Sequence, residues 1–346
     1  MKAPSAPSVA LCGAGMIAGA HAAAARLHGY PVVAVASRTA GRAAEMAAGL
    51  GAQAVAYDDL PAGADLVVVA TPPQCHAADA VRLLEAGAAV LLEKPLCRTL
   101  DEADHLVAAA ARHGGRLLYG ENLAYAPVVE RVIGLVPKVG ALTHLEVRAQ
   151  QGLPTWGSFT SDEWGGGALF DLGVHPLALA LLVAGVAGCG RPVGVRATLR
   201  GGEGHGSDEH AEVRLAFRGG FEATVVASWQ AGPQPEWDIQ VAGATGVVRA
   251  ELFPSVRLEW NGDEVALPRP TAPVPVLEEL GYLGQLRALV EDVAAGQEPA
   301  MSAAFGRDVL DVVMGAYASA GRGGVLVELP FRGPRDRTPL ELWRGA

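Results

Sequence analysis

The chain has 346 residues, half of them hydrophobic and 18% charged, with four cysteines and a net charge of −10 from 27 Lys and Arg against 37 Asp and Glu. At roughly 100–200 residues per domain this is material for about two domains with a sizeable core, which excludes disorder for most of the chain. The acidic balance argues against nucleic acid, whose binding needs clustered basic residues, so any anionic ligand must be held by local groups.

Cys12, Cys75, Cys97 and Cys189 are scattered without a CxxC pair. Neither a disulfide framework nor a zinc site is indicated, and reduced thiols in the cytosol are the default. Residues 1–8 lack the apolar stretch of a signal peptide, and the most apolar run, Leu177 to Ala187, is too short for a membrane span of about 20 residues. A soluble cytoplasmic chain with no membrane partner is expected.

In chain order, the first third alternates short apolar runs with Ala-rich stretches of helical length. Strands are expected at Val9–Cys12, Val32–Ala36, Asp65–Ala70, Ala88–Leu92 and Arg116–Tyr119. Helices are expected at Ile17–Leu27, Arg42–Leu50, Cys75–Ala86 and Asp101–His113, the last opened by a Thr99/Glu102 capping box. Apolar runs without alternation are strands buried on both faces, and helices between them imply parallel pairing. This predicts a doubly wound parallel sheet.

Beyond about Tyr125 the pattern alternates, with strands expected at Leu142–Arg148, Val193–Leu199, Ala211–Phe217, Phe221–Ser228, Asp238–Val241, Val247–Glu251 and Arg257–Trp260. One wet and one dry face, with turns such as Asn261-Gly262-Asp263, point to a mostly antiparallel sheet. Residues 268–275 read as a crossing loop, followed by helices at Val276–Ala294 and Ser302–Ala320 and a last strand at Val325–Glu328. The expected division is 1–123 for nucleotide binding and 124–346 for substrate binding and oligomerisation. A metal role for His205 or His210 has little to support it.

The first strand runs into Gly13-Ala14-Gly15-Met16-Ile17-Ala18. Gly13 permits a tight turn, Gly15 lets backbone approach a pyrophosphate, and the helix opened by Met16 and Ile17 offers its N-terminus to the phosphates, with Ala18 as the third small residue. The second strand ends in Ser37-Arg38 rather than in the acid that would bond a ribose 2′-hydroxyl. A hydroxyl and a guanidinium suit a 2′-phosphate, and Arg42 adds a second cation, so NADP(H) is favoured and NAD(H) remains open. At the ends of the next strands stand Thr71-Pro72, His76, and Glu93-Lys94-Pro95. Far downstream, Asp171 and His175 are spaced i, i+4, which on a helical turn puts them on one face.

GAGMIAGAH at 13–21, ATPPQCH at 70–76, EKP at 93–95 and GGGALFDLGVH at 165–175 together resemble the glucose–fructose oxidoreductase / inositol dehydrogenase / rhizopine-catabolism (Gfo/Idh/MocA) family over nearly the whole chain. The resemblance implies an N-terminal Rossmann domain and a C-terminal α+β domain with a large open sheet whose face makes homodimer or homotetramer contacts. It implies hydride transfer between NAD(H) or NADP(H) and a hydroxyl of a sugar, deoxysugar or cyclitol. Lys94, Asp171 and His175 are then the catalytic residues, and the Lys94–Pro95 peptide is a candidate for the cis form. An imidazole titrating near neutral pH suits the hydroxyl proton, an aspartate can orient it, and a lysine can hydrogen-bond the reacting oxygen and share the proton relay. Members of the family differ in whether the residue matching Lys94 or that matching His175 is the final proton donor, and both stay open here.

The same resemblance puts Thr71, Pro72, His76, Glu93, Lys94 and Asn122 on the cofactor, with Asn122 also near the substrate. Ala124 replaces an arginine frequent in the family. His76 has the alternative of starting its helix, and Glu93 that of pairing beside Lys94. Trp156, Phe159 and Trp164, with Gln150 and Gln151, could face a sugar ring; equally, the aromatics could pin their own loop. Two other functions fit the same motifs: a glycosidase-like enzyme that removes and returns hydride, and a non-catalytic nucleotide sensor. Intact Lys94, Asp171 and His175 argue against the sensor.

Overall fold

The computed structural model describes residues 6–201, 206–232 and 234–345, so His205 lies outside the described residues. Two compact units emerge, one of Met1–Cys97, Glu102–Ala126 and Pro270–Arg307, the other of Arg98–Asp101, Pro127–Arg269 and Asp308–Ala346.

The first unit is built on β1 (Val9–Cys12), α1 (Met16–Leu27), β2 (Val32–Ala36), α2 (Ala40–Leu50), β3 (Gln53–Val55), β4 (Leu66–Val69), α3 (Pro73–Glu85), β5 (Ala89–Glu93), α4 (Leu100–Arg112) from Glu102 onward, and β6 (Leu117–Gly120). The six strands pair in parallel in the order β3-β2-β1-β4-β5-β6. β1, β4 and β5 are buried throughout, which is why they read as unbroken apolar runs. Ala18, Ala22, Ala24 and Ala25 of α1 are buried, and such small side chains let the helix lie close on the sheet. β3, short and largely exposed, carries no apolar signal and was not expected.

The second unit begins with α5 (Pro127–Val139) and β7 (Leu142–Gln150), followed by α6 (Ala168–Asp171) and α7 (Val174–Val186). The chain then continues through β8 (Gly194–Gly201), β9 (Asp208–Ala216), β10 (Glu222–Ser228), β11 (Glu236–Gly243), β12 (Val247–Phe253), β13 (Arg257–Trp260) and β14 (Asp263–Glu264). With a later strand, β15 (Val327–Glu328), they form a nine-stranded sheet, β14-β13-β12-β11-β7-β10-β9-β8-β15, antiparallel except for the β7–β10 pair. α5 and α7 pack on this sheet. α7 is buried on nearly every side, so its apolar character has no polar stripe.

The expected helix over 276–294 is two helices, α8 (Pro275–Glu279) and α9 (Tyr282–Ala295), broken at Gly281. A side chain at Gly281 would run into the Asn122 carbonyl, so chain approach rather than helix propensity sets the break. Both helices belong to the first unit, where α9 packs on α1, β5 and β6, so this unit is not the single stretch 1–123. The long α10 (Ala303–Gly321) contributes to both units, and α11 (Pro339–Arg344) starts with a capping box between Thr338 and Glu341. Among the described residues, no helix is long and apolar enough to cross a membrane.

Candidate active site

Within the first unit, the candidate residues line the carboxyl ends of five neighbouring parallel strands in spatial order. Ser37 and Arg38 follow β2, Gly13 and Gly15 follow β1, Thr71 and Pro72 follow β4, Glu93 and Lys94 end β5, and Asn122 follows β6. That edge is where open parallel sheets bind ligands, at the point where the strand order reverses, here between β1 and β4.

The glycine turn fits a dinucleotide. Gly13 has φ +121° and sits so close to β4 that a Cβ would lie 2.5 Å from the Ala70 carbonyl oxygen. Gly15 caps α1 with no side chain over the helix start and open space around it, which leaves first-turn amides for a phosphate. Met16 is 60% exposed beside it, Ile17 is half-buried, and Ala18 is fully buried, as a third small residue requires. At the ribose end Arg38 and Arg42 are exposed, Ser37 accepts from the Thr39 amide at 3.3 Å, and the Arg38 amide donates to the Tyr57 hydroxyl at 3.1 Å. The sequence offered no sign of Tyr57, which comes from a short 3₁₀ turn (Tyr57–Asp59).

Several expected cofactor residues instead turn out to bind the protein itself. His76 is 1% exposed, with Nδ1 2.8 Å from the Pro95 carbonyl and Nε2 2.7 Å from the Thr71 carbonyl. Burial lowers its pKa, outweighing the pull of the two carbonyls toward the charged form. Its ring sits between the loop after β4 and the loop after β5, facing a carbonyl of each, rather than reaching outward. The Thr71 hydroxyl donates to Asp79 at 3.0 Å, and the Asn122 amide donates to the Leu280 carbonyl at 2.7 Å. The long-range partner of Asn122, a backbone carbonyl 158 residues away, is one that local sequence does not reveal.

Glu93 is 6% exposed and divides its carboxylate: Oε1 lies 2.7 Å from His21 Nε2, and Oε2 accepts from the Lys94 amide at 3.0 Å. His21, from α1, is fully buried and packs edge-on against Tyr282, with ring centroids 5.3 Å apart. Burial pushes the Glu93 pKa up, but the hydrogen bond and charge of His21 and the charge of Lys94 bring it below its ordinary value. Of the two openings left for Glu93, the structure favours pairing beside Lys94. The Lys94–Pro95 peptide is cis, and Lys94 is half-buried.

In the second unit, Asp171 closes α6 and His175 lies in the first turn of α7. They do not share one continuous helix, because Leu172 and Gly173 intervene, with the Gly173 amide bonding to the Ala168 carbonyl at 2.8 Å. His175 is 7% exposed, its ring 5.5 Å from that of Trp237 on β11, a neighbour the sequence did not indicate. The aromatic loop is pinned by its own rings. Phe159 is buried with Trp229 and stacks edge-on at 4.7 Å against both Trp156 and Trp164, leaving Trp156 46% exposed.

The Gfo/Idh/MocA model for the oxidoreductase family with an NAD-binding Rossmann fold matches residues 8–121, and the model for the Gfo/Idh/MocA C-terminal domain matches 137–249. The chain is 31% identical over 290 residues to a putative UDP-kanosamine synthase oxidoreductase subunit of Amycolatopsis mediterranei, covering 74% of this chain and 79% of that protein. It is 29% identical over 175 residues to the scyllo-inositol 2-dehydrogenase (NADP(+)) of Bacillus subtilis, 47% of this chain and 53% of the other. The structure of GenD2 from gentamicin A biosynthesis, in complex with NAD, matches with a TM-score of 0.82 at 28% identity, over 94% of this chain and 97% of that one. The chain belongs to the Gfo/Idh/MocA family of oxidoreductases.

Proposed function

We propose that the protein transfers hydride between NADP(H) and a hydroxyl or keto carbon of a sugar, deoxysugar or cyclitol. The observation that carries this reading is the carboxyl edge of the six-stranded sheet, where the Gly13–Gly15 turn follows β1 and Lys94 follows β5, with β4 between the two strands. The names of the relatives, one a sugar-nucleotide enzyme and one a cyclitol dehydrogenase, support the substrate class.

A bound nicotinamide supplies the hydride acceptor or donor. In this reading Lys94 donates a hydrogen bond to the reacting oxygen and lowers the pKa of its hydroxyl. His175 exchanges the hydroxyl proton, and Asp171 holds the imidazole in the tautomer that can accept it. Glu93 and His21 hold the backbone amide of Lys94, and His76 holds the carbonyl of Pro95. Trp156, with its large exposed face, is the aromatic best placed for a sugar ring, and Trp164 supports it through Phe159.

NADP(H) is preferred because the residues after β2 are Ser37 and Arg38, with Arg42 one turn on, and no carboxylate stands there to repel a 2′-phosphate. The test is a fluorescence titration with NADPH and NADH, followed by a panel of sugars, keto-sugars, cyclitols and nucleotide-linked sugars read by nicotinamide absorbance. Turnover of a sugar or cyclitol with tighter NADPH binding is expected. Equal affinities would remove the NADP(H) preference, and a tightly held nucleotide with no net redox turnover would favour the glycosidase-like chemistry. Assembly as a homodimer or homotetramer goes with this reading and is read by light scattering.

A further inference from the structure

We propose that Asp208 is a positioning residue for Asp171 and His175, acting through the backbone of Gly167–Leu169, to which its carboxylate is tied directly and through the Tyr317 hydroxyl. The inference deepens the proposed function and rests on the roles given there to Asp171 and His175.

Asp208 opens β9 and is fully buried. One carboxylate oxygen accepts from the Leu169 amide at 2.8 Å, and the other accepts from the Tyr317 hydroxyl. That hydroxyl, on a fully buried ring of α10, in turn accepts from the Gly167 amide at 3.0 Å. Both ends of a three-residue stretch thus converge on one carboxylate. α6 begins inside that stretch, and its early amides have no partner in their own helix. A Cβ at Gly167 would lie 2.3 Å from the Asp208 carbonyl oxygen, so strand and turn are in direct contact. From Ala168 the constraint passes on: its carbonyl takes the amides of Leu172 and Gly173, and the Leu172 carbonyl takes that of His175. Asp171 and His175 are carried by this short chain of bonds. Burial pushes the Asp208 pKa up to about 6, so the carboxylate is held there against its own desolvation.

Full-length Asp208→Asn and Tyr317→Phe test the proposal. Asn replaces one acceptor by an N–H that faces another donor, and Phe removes the Gly167 bond while keeping the one to Leu169. Hydrogen–deuterium exchange reads residues 165–175, histidine-ring NMR reads His175 (assigned with His175→Gln), and NADPH titration reads the first unit. Asp208→Asn should speed exchange over 167–175 by about tenfold or more and displace the His175 ring titration; Tyr317→Phe should do both to a smaller extent. NADPH affinity and exchange elsewhere should stay as in the wild type. Wild-type exchange and an unmoved His175 signal would overturn the proposal, whatever happens to the melting temperature. Should Asp208→Asn fail to fold, Tyr317→Phe decides by the same readouts. Full turnover in His175→Gln would sink the catalytic assignment instead, and leave the exchange result standing.

Discussion

In each unit a buried carboxylate stands close to a residue proposed for the chemistry, Glu93 in the first and Asp208 in the second, and the two have opposite electrostatics. Glu93, next to Lys94, is bonded to His21 and flanked by a lysine, and its pKa falls below the ordinary value despite burial. Asp208, behind the Asp171–His175 segment, is bonded to a phenol and to backbone amides, and its pKa rises to about 6. Burial is nearly the same in both. The neighbours decide the outcome: the His21 hydrogen bond together with nearby positive charge offsets the loss of water at Glu93, whereas neutral donors offset only part of it at Asp208. The first unit therefore keeps a negative charge beside Lys94 at the carboxyl edge of its sheet, and the second holds a carboxylate whose pKa is raised.

The largest expected effect lies in the first unit. Lys94→Ala should lower turnover by about 10²–10⁴-fold, the usual worth of a positioned acid or base, and leave nucleotide binding intact. Full activity in that variant would remove Lys94 from the reaction.

Opposite pH dependences come next. Asp208 is raised from its ordinary 3.8 to about 6, so between those values the folded state binds the extra proton. Its contribution to stability falls as pH rises through that window, by about 3 kcal/mol in all, and is constant above it. Tyr317 is the titratable side chain bonded to it. In urea melts, the penalty of Asp208→Asn relative to wild type should shrink as pH rises from about 4 to about 6. Glu93 runs the other way. Its stabilisation is present above its ordinary 4.5 and is lost as pH falls through its lowered folded value, so Glu93→Gln should cost more at neutral pH than in acid. Parallel, pH-independent offsets for both variants would refute the contrast.

Smaller effects separate backbone from side chain in the nucleotide site. Gly13→Ala should destabilise by about 1–3 kcal/mol and abolish dinucleotide binding, because its φ and the Ala70 carbonyl both exclude a side chain. Gly19→Ala, mid-helix with nothing within 4 Å, should instead stabilise by about 0.5–1 kcal/mol in thermal melts. Arg38→Ala is expected to weaken NADPH by about tenfold and leave NADH unchanged, since one exposed charge-assisted contact is lost. Equal losses for both nucleotides would mean that Arg38 does not read the phosphate.

Much of the first unit was legible because its strands are buried on both faces. Runs such as Val9–Cys12 and Leu66–Val69 then carry no competing polar signal, and the residues that follow them fall on the ligand edge by topology. The antiparallel strands of the second unit were legible by alternation. The Thr338 capping box is encoded by its Thr-x-x-Glu spacing, a signal local enough to mark the start of α11. Misread were the elements that answer to distant contacts: the break at Gly281, the return of α8 and α9 to the first unit, and the inward turn of His76.

What the amino-acid sequence determined by itself is the order of elements, the glycine turn, and the residue types at the strand ends, since all of these follow from local periodicity and backbone sterics. What only the tertiary structure decided is which polar groups spend their hydrogen bonds on one another. His21 and Glu93 are 72 residues apart, Leu169 and Asp208 are 39, and Gly167 and Tyr317 are 150. No local pattern encodes such pairs. They form because a polar group removed from water must find a partner wherever the packed chain provides one.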